Sequence, residues 1–440
     1  MNTSLTRRSF TGALSGGLAA LTATGVLQGA DRKPNIVFLL SDDLGLDIIS
    51  AYGSDKYKTP NIDSLAASGV RFENCYAAPL CGPTRCLINT GRYAFRTGGI
   101  SNQSWREGGP GAKSRDEYPL AKLMKEAGYA TCSTGKWRQV GETPGDWGFD
   151  EWLTDPTAGG WFWEKSYTKN GKLIEHEKEV YCPDVAHDFA VDFIRRNKAK
   201  PFYLYYPTHL IHGPILRTPD SKPDSKDLYA DNVAYLDKLV GKMIAEIDSL
   251  GLRQNTVIIF AGDNGTAQRS GTVRGRQING AKGSMWEGGS RVPLIVNWKG
   301  KSPKNKVLPD LVDFTDYYST FAELAGAKMP TSHIFDSRSF APQLQGKKGK
   351  PRDWVYVHLG PNWYVKDQAW KLNQRAELYD MKQAPFEEKL IPADSTDPQA
   401  VAARKKLSGI LAQLNPTGGK TDTGAGDGGK KGKKNKKKAA

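Results

Sequence analysis

Cysteine is scarce in this 440-residue chain, and no two of its five cysteines form a C-x-x-C pair. Cysteine-based zinc modules and C-x-x-C redox motifs are thereby excluded. The chain has no internal repeat, no long linker ahead of residue 415 and no nucleic-acid-binding motif. Its early apolar stretch, residues 12–27, is short and broken by Thr, Ser and Gly. It falls below the roughly 20 apolar residues a spanning helix needs, so no integral membrane segment is expected. What remains is long enough for one large domain and a smaller one, with 38% hydrophobic residues and 11 Trp to build a core. Because Cys75, Cys81, Cys86, Cys132 and Cys182 are odd in number, one can have a private chemical role. Their pairing is left open.

The two ends of the chain differ from its body. Residues 1–30 carry Arg7-Arg8, then Ser9-Phe10, the weakly apolar run and small residues near Ala30. This is the composition of a secretory signal, and the adjacent arginines favour the twin-arginine route of bacteria. The expected location is therefore periplasmic or extracellular. Residues 415–440 are rich in Gly and Lys and are expected to be disordered, either as a solvated tail or as a tether to an acidic surface. Arg7 and Arg8 account for two of the fifteen net positive charges. The tail, with eight Lys and two Asp, accounts for six more, which leaves +7 on the body. A mildly basic surface suits an anionic substrate without requiring one.

Strand and helix signals alternate from residue 33 to residue 325, which indicates an α/β fold with helices on both faces of a sheet. Residues 35–40 (NIVFLL), 129–133, 202–206, 257–260 and 294–297 read as strands. Thr59-Pro60 begins a helix to Ser68, with a capping hydroxyl and Gly69 as terminator. Residues 120–127 form another, stopping at Gly128. The clearest helix carries apolar residues at three- and four-residue steps from Leu228 to Ile247, followed by Gly251. A helix over 316–325 precedes a change of composition. Short strands at 354–358 and 377–381 then suggest a smaller C-terminal subdomain. Domains are expected over 31–330 and 331–414, and Trp161 and Trp163 in a loop.

Polar clusters directly follow the strands: Asp42-Asp43, Lys136, His209 with His212, and Asp263-Asn264. In open α/β sheets, ligands gather outside the carboxyl ends of strands. Three carboxylates and an amide oxygen suit a hard cation, Ca²⁺ or Mg²⁺, better than zinc. Taken singly, D-D and D-N-G are also ordinary turn sequences. Cys81 lies in P-L-C-G-P-T-R, continuing to Thr90-Gly91-Arg92.

C-x-P-x-R followed by T-G-R resembles the signature of type I sulfatases, members of the alkaline phosphatase-like superfamily. Thr84 stands where Ser is commoner, and Asn89 where an apolar residue is usual. Residues 35–45 (NIVFLLSDDLG), 59–63 (TPNID), 128–137 (GYATCSTGKW), 262–265 (GDNG) and 282–293 (KGSMWEGGSRVP) look like further blocks of that family. Residues 377–380 (ELYD) resemble its C-terminal motif. The resemblance implies a mixed, mainly parallel sheet flanked by helices, with a smaller C-terminal α+β subdomain.

It also implies an exported hydrolase of sulfate esters. Cys81 would be oxidised to Cα-formylglycine by a separate maturation enzyme, formylglycine-generating or radical. Asp42, Asp43, Asp263 and Asn264 would hold Ca²⁺, with Mg²⁺ as the alternative, and residue 81 would supply a further oxygen. Arg85 would fix residue 81 and the carboxylates as a fork-shaped donor. Lys136 and Lys282 would bind sulfate oxygens and offset charge in the transition state. His212 would bind sulfate or protonate the leaving alcohol, with His209 second. A hydrated aldehyde offers two hydroxyls on one carbon: one attacks sulfur, and the other lets the sulfated intermediate collapse.

One departure bears on turnover. Where the family places a histidine two residues after the Lys136 equivalent, this chain has Arg138. Arginine stays protonated, so it can clamp sulfate but cannot accept a proton. The expected substrate is a sulfated carbohydrate, in keeping with export, a basic surface and abundant Trp. Alternatives are phosphodiester or phosphonate ester hydrolysis on the same metal cluster, and a non-catalytic protein that binds sulfated glycans.

Overall fold

All seven residues of Asn35–Ser41 are buried, and this stretch runs through the centre of a ten-stranded sheet. The computed structural model describes residues 32–105, 109–137, 141–155, 162–267 and 271–418. The main sheet contains β1 (Asn35–Ser41), β2 (Val70–Tyr76), β3 (Ala130–Thr134), β4 (Glu151–Thr154) and β5 (Trp163–Lys169). It continues with β6 (Lys172–Tyr181), β7 (Phe202–Pro207), β8 (Thr256–Gly262), β9 (Arg291–Trp298) and β10 (Lys306–Asp313). Their order is β10-β2-β9-β8-β1-β7-β3-β4-β5-β6. The run β8-β1-β7-β3-β4 is parallel, and β9 is antiparallel to both β8 and β2.

The apolar run of β1 follows from having both faces covered. Ile36, Phe38 and Leu40 point into one core, and Val37 and Leu39 into the other, as the two-residue side-chain period requires. Helices Cys81–Thr90, Leu120–Glu126 and Asp316–Ala325 pack in the first core. Helices Pro60–Ala67, Cys182–Asn197 and Leu228–Ser249 pack in the second. Helices thus lie on both faces, as the alternation of signals indicates.

Two local expectations are corrected. The Thr59 hydroxyl does not cap its helix. It donates to Asp63 Oδ1 at 3.1 Å and accepts from Ser50 N–H, because the Asp63 carboxylate one turn along competes for it. Gly69 does follow the end of its helix, its N–H donating to the Ala66 carbonyl at 3.2 Å, but without the left-handed φ of Gly128 (+86°) and Gly251 (+69°). A Cβ at Gly69 would lie 2.3 Å from the Val296 carbonyl oxygen, so glycine is needed there for the close approach to β9. Trp163 also departs from the expected loop. It opens β5, donates its indole N–H to the Arg217 carbonyl and packs on Tyr181 at 5.0 Å between ring centroids. Trp161 lies outside the described residues.

A second sheet, β11 (Val355–Leu359), β12 (Asn362–Lys366), β13 (Trp370–Asn373), β14 (Leu378–Asp380) and β15 (Lys389–Ile391), is an antiparallel meander. Helix Pro398–Leu414 covers one face through Ala400, Ala403 and Leu407 against Val365, Leu372 and Leu378. The opposite face puts Val357 and Tyr364 against Tyr76 and Leu311 of the main sheet. Asn415 ends that helix in the left-handed region, and Pro416–Gly418 forms a turn with Pro416 buried. The signal-like residues 1–30 and tail residues 419–440 lie outside the described residues. Among the described residues, no helix is long and apolar enough to cross a membrane. All five cysteines are buried free thiols.

Candidate active site

The topology turns one sheet edge into a collecting point. Strands β8, β1, β7 and β3 are parallel neighbours, so the residues that follow them emerge together: Asp263-Asn264, Asp42-Asp43, His209 with His212, and Lys136. Two antiparallel pairings through β9 restore the same direction in β2, which delivers residues 77–81 to that edge. Strand β9 runs the other way, so the segment preceding it, which carries Lys282, arrives there too.

Cys81 is the first residue of helix Cys81–Thr90, in which every residue is buried. Pro83 is tolerated because N–H groups in the first turn have no intrahelical acceptor. The spacing of C-x-P-x-R puts Arg85 one turn after Cys81 on the same face. Arg85 donates to Asp263 Oδ2 from Nε (3.3 Å) and Nη2 (2.8 Å), and to the Lys136 carbonyl (2.5 Å). The two residues that differ from the usual signature are absorbed locally. The Thr84 hydroxyl donates to the Ala78 carbonyl, and the Asn89 amide to the Arg85 carbonyl.

Around the Cys81 thiol the charges are dense. Sγ lies 3.3 Å from Asp42 Oδ1 and 3.9 Å from Asp43 Oδ1, with Lys136 Nζ at 3.6 Å. Lys136 also pairs with Asp42. Lys282 Nζ lies 2.9 Å from the Asp43 carboxylate, and His212 Nε2 lies 3.8 Å from Asp43 Oδ2. Asp43 takes a left-handed φ of 57°, which Asp tolerates better than most residues. Its N–H donates to Asp263 Oδ1 at 3.1 Å, and its Oδ1 accepts from Asn264 Nδ2 at 2.9 Å.

Burial raises the Asp42 carboxyl, but Lys136, His212, Arg85 and Lys282 outweigh it and hold the group well below the usual carboxylate range. Asp263 moves the other way. Burial and the Asp42 charge push it up to about 7 despite Arg85 and Lys136. The Cys81 thiol is pushed well up by burial and by Asp263 and Asp42. An unmodified Cys81 therefore stays protonated, and the thiol form is a poor nucleophile. Burial lowers His212, against the pull of Asp42.

Asp42, Asp43, Cys81 and His212 offer ligand atoms within 4.8 Å of one another. Asp263 and Asn264 adjoin this group through Asp43. Among the described residues, buried Asn264 Oδ1 meets no hydrogen-bond donor, while its Nδ2 donates to Asp43 and to the Gly265 carbonyl. An oxygen donor left over beside three carboxylates fits a hard divalent cation.

Asp42, Asp43, Cys81, Arg85, Lys136, His212, Asp263, Asn264 and Lys282 are thus brought together. His209 sits deeper, its Nε2 3.2 Å from Asp155 Oδ1 with both side chains buried. Arg138 lies outside the described residues. Asp155 carried no signal in the sequence, since it follows the short strand Glu151–Thr154 and lies 54 positions from its partner. The same holds for Glu388, which accepts the Glu287 N–H at 2.8 Å and so braces the segment carrying Lys282.

A family model described as Sulfatase matches residues 34–327, and one described as N-sulphoglucosamine sulphohydrolase, C-terminal, matches residues 281–415. N-acetylgalactosamine-6-sulfatase of Canis lupus familiaris is 31% identical over 374 residues, covering 77% of this chain and 71% of the relative. Arylsulfatase D of Homo sapiens is 27% identical over 442 residues, covering 78% and 74%. The solved structure of Ps i-CgsB in complex with k-i-k-neocarrahexaose has a TM-score of 0.74 and 26% identity, covering 90% of this chain and 95% of that one.

Proposed function

The chain belongs to the sulfatase family and is a sulfatase, and from that premise we propose that it is exported and removes sulfate from a carbohydrate ester, through a Cα-formylglycine made from Cys81 and a divalent cation. The observation that carries this reading is the convergence on residue 81 of Asp42, Asp43, Lys136 and Lys282, beside a thiol too basic to serve as it stands. The relative named for N-acetylgalactosamine 6-sulfate and the structure holding a neocarrahexaose support a sulfated carbohydrate as substrate.

Asp42, Asp43, Asp263 and Asn264 would hold the cation, Ca²⁺ or Mg²⁺, and a cation there supplies Lewis-acid polarisation of a sulfate oxygen and of a hydroxyl on residue 81. The chain's own side chains do the rest. Arg85 fixes Asp263 from within the protein, with a charge it cannot lose. Lys136 and Lys282 flank residue 81, where they take up sulfate oxygens and offset charge developing in the transition state. His212 Nδ1 bonds to the Gly213 carbonyl at 2.5 Å, which commits that nitrogen as donor. Nε2 passes a proton to the leaving alcohol in the doubly protonated imidazolium form, which the Asp42 and Asp43 carboxylates favour against burial. His209, oriented by Asp155, is a secondary sulfate contact. Arg138 acts as a further anion clamp: Arg138→His should then lower the rate sharply, and an unchanged or raised rate would show it to be a defect.

Export rests on the twin arginines and apolar run of residues 1–30, and maturation of Cys81 requires a dedicated enzyme as partner. The catalytic domain is taken as residues 31–330 and the C-terminal subdomain as 331–414. The deciding experiment is mass spectrometry of the tryptic peptide of residues 72–85 from protein made in its native host, with fragment ions separating Cys81 from Cys75. An aldehyde in place of the thiol at residue 81 is expected. An intact thiol there would overturn the mechanism.

A further inference from the structure

We propose that a second pocket, between the C-terminal sheet and the segment carrying Lys282, binds another sugar ring of the glycan whose sulfate ester is cut at residue 81; this rests on the sulfated-carbohydrate reading above. The cavity has a volume of about 210 Å³. That is smaller than the roughly 300–1,000 Å³ of sites enclosing a drug-sized ligand, and it suits one ring rather than a chain. Its walls combine the aromatic side chains Trp286, Tyr364 and Tyr379 with Asn362, Gln374 and Arg375. Aromatic faces pack on the C–H faces of sugars, amides bond hydroxyls, and guanidinium matches sulfate or carboxylate. Among the described residues that line the cavity there is no carboxylate, although Arg375 and Lys371 each pair with one, Glu377 and Glu388.

The wall is prearranged. Lys371 Nζ sits 4.8, 4.9 and 5.0 Å from the ring centroids of Trp286, Tyr364 and Tyr379, and pairs with Glu388. It also donates to the Met285 carbonyl at 3.2 Å. Tyr379 meets the Trp286 ring edge-on, at 5.6 Å and 89°. Gly280, at φ +88°, lets the chain pass so close to Trp286 that a Cβ would fall 2.5 Å from the Trp286 Cβ. Held on these sides, Trp286 is still 38% exposed, one of few large apolar side chains so open among the described residues. At the rim, Gln374 Nε2 donates to Asn362 Oδ1 at 2.6 Å, and Arg375 pairs with Glu377 at 2.9 Å.

The position relative to residue 81 makes this a subsite rather than an unrelated hollow. Trp286 lies four residues after Lys282, whose ammonium touches Asp43. The Gly283 N–H donates to the Pro79 carbonyl at 2.9 Å, two residues before Cys81, and from there to Trp286 the chain spans at most about 10 Å between Cα atoms, a distance a short oligosaccharide covers.

The test compares substrates of different length on Arg375→Ala and on the double variant Asn362→Ala/Gln374→Ala, all of them in the C-terminal sheet and its turns and outside the Lys282 segment. The substrates are 4-nitrophenyl sulfate, N-acetylgalactosamine 6-sulfate, a chondroitin 6-sulfate tetrasaccharide and a neocarrahexaose. For the oligosaccharide that wild type hydrolyses best, KM should rise about tenfold with kcat unchanged, the mark of lost uniform binding. KM for 4-nitrophenyl sulfate should not move. An unchanged oligosaccharide KM would overturn the proposal, and so would an equal rise for every substrate, which marks a mere buttress of the Lys282 segment. If wild type releases sulfate from none of them, the carbohydrate-sulfatase reading fails separately. Calorimetric titration with the same two oligosaccharides then decides the pocket: binding weakened in the variants sustains it, and binding absent or unaffected overturns it.

Discussion

Arg352 and Arg85 are both buried arginines that hold aspartates, yet their surroundings are built to different ends. Arg352 meets both Asp316 oxygens, Thr315 Oγ1 at 3.1 Å, the Asp336 carbonyl and the Tyr93 hydroxyl at 3.3 Å. Asp316 is answered in turn by the N–H groups of Asp313 and Arg338. None of these groups is left over, and the cluster ties the segment leading into β11 to helix Asp316–Ala325. Around Arg85 the count is different. Three carboxylates converge, Asp263 is pushed up to about 7, and Asn264 Oδ1 meets no donor among the described residues. A cluster that satisfies itself stabilises a junction. One that keeps surplus oxygen donors has been shaped for something the chain does not supply.

The sharpest separation of the two comes from Cys81→Ala. It should bring sulfate release down to background while leaving the melting temperature near wild type, checked by 4-nitrophenyl sulfate turnover and calorimetry. Arg352→Met should do the reverse. Removing one partner of a buried ion pair costs about 3–5 kcal/mol of stability, read by denaturant unfolding, with kcat per folded molecule retained. Asp263→Asn belongs with Cys81→Ala: activity should go, but with less destabilisation than Arg352→Met, since it also relieves repulsion from Asp42.

Acid should weaken the junction side of the molecule through a buried histidine. His358 in β11 has Nδ1 3.1 Å from the Tyr356 hydroxyl and Nε2 2.9 Å from the Gly360 carbonyl, and burial pushes it down to about 4. The unfolded chain takes up that proton at the ordinary histidine value, near 6.5. Its contribution is therefore complete above that pH and is lost as pH falls toward 4, by about 3 kcal/mol. His358→Gln should flatten this part of a pH–stability curve. The smallest effect expected is from the cation. Ca²⁺ at a hundredfold its Kd should stabilise the protein by about 2.7 kcal/mol, and Asn264→Ala should shift the required concentration upward while Arg352→Met leaves it alone. Thermal shift with and without a chelator measures both.

The strands were legible because a strand covered on both faces must be apolar throughout: residues 35–40, 202–206 and 257–260 all lie within observed strands. The residues around Cys81 were legible for a related reason, since polar residues directly after buried strands have little to do but line the sheet edge. The Thr59 hydroxyl misled because the Asp63 side chain, which decides its role, is a neighbour that a capping pattern ignores; Gly69 did mark the helix end, but its close approach to the Val296 carbonyl was not visible in the sequence. The Asp155–His209 pair and the Glu388 brace left no trace because each joins residues 54 to 101 positions apart.

Local chemistry along the chain thus set which segments become strands, which residues stand at their carboxyl ends, and that Arg85 shares a helix face with Cys81, since side-chain period and helical pitch act over a few residues. Strand order was decided by packing across the whole sheet. It places β8, β1, β7 and β3 side by side although the paired residues of β1 and β8 lie 221 positions apart, as Arg85 and Asp263 lie 178 apart. Only that order brings residues 42, 81, 136, 212 and 263 to one point. It also puts the sheet of β11–β15 against the segment bearing Lys282, because burial is shared between elements and is not a property of any one of them.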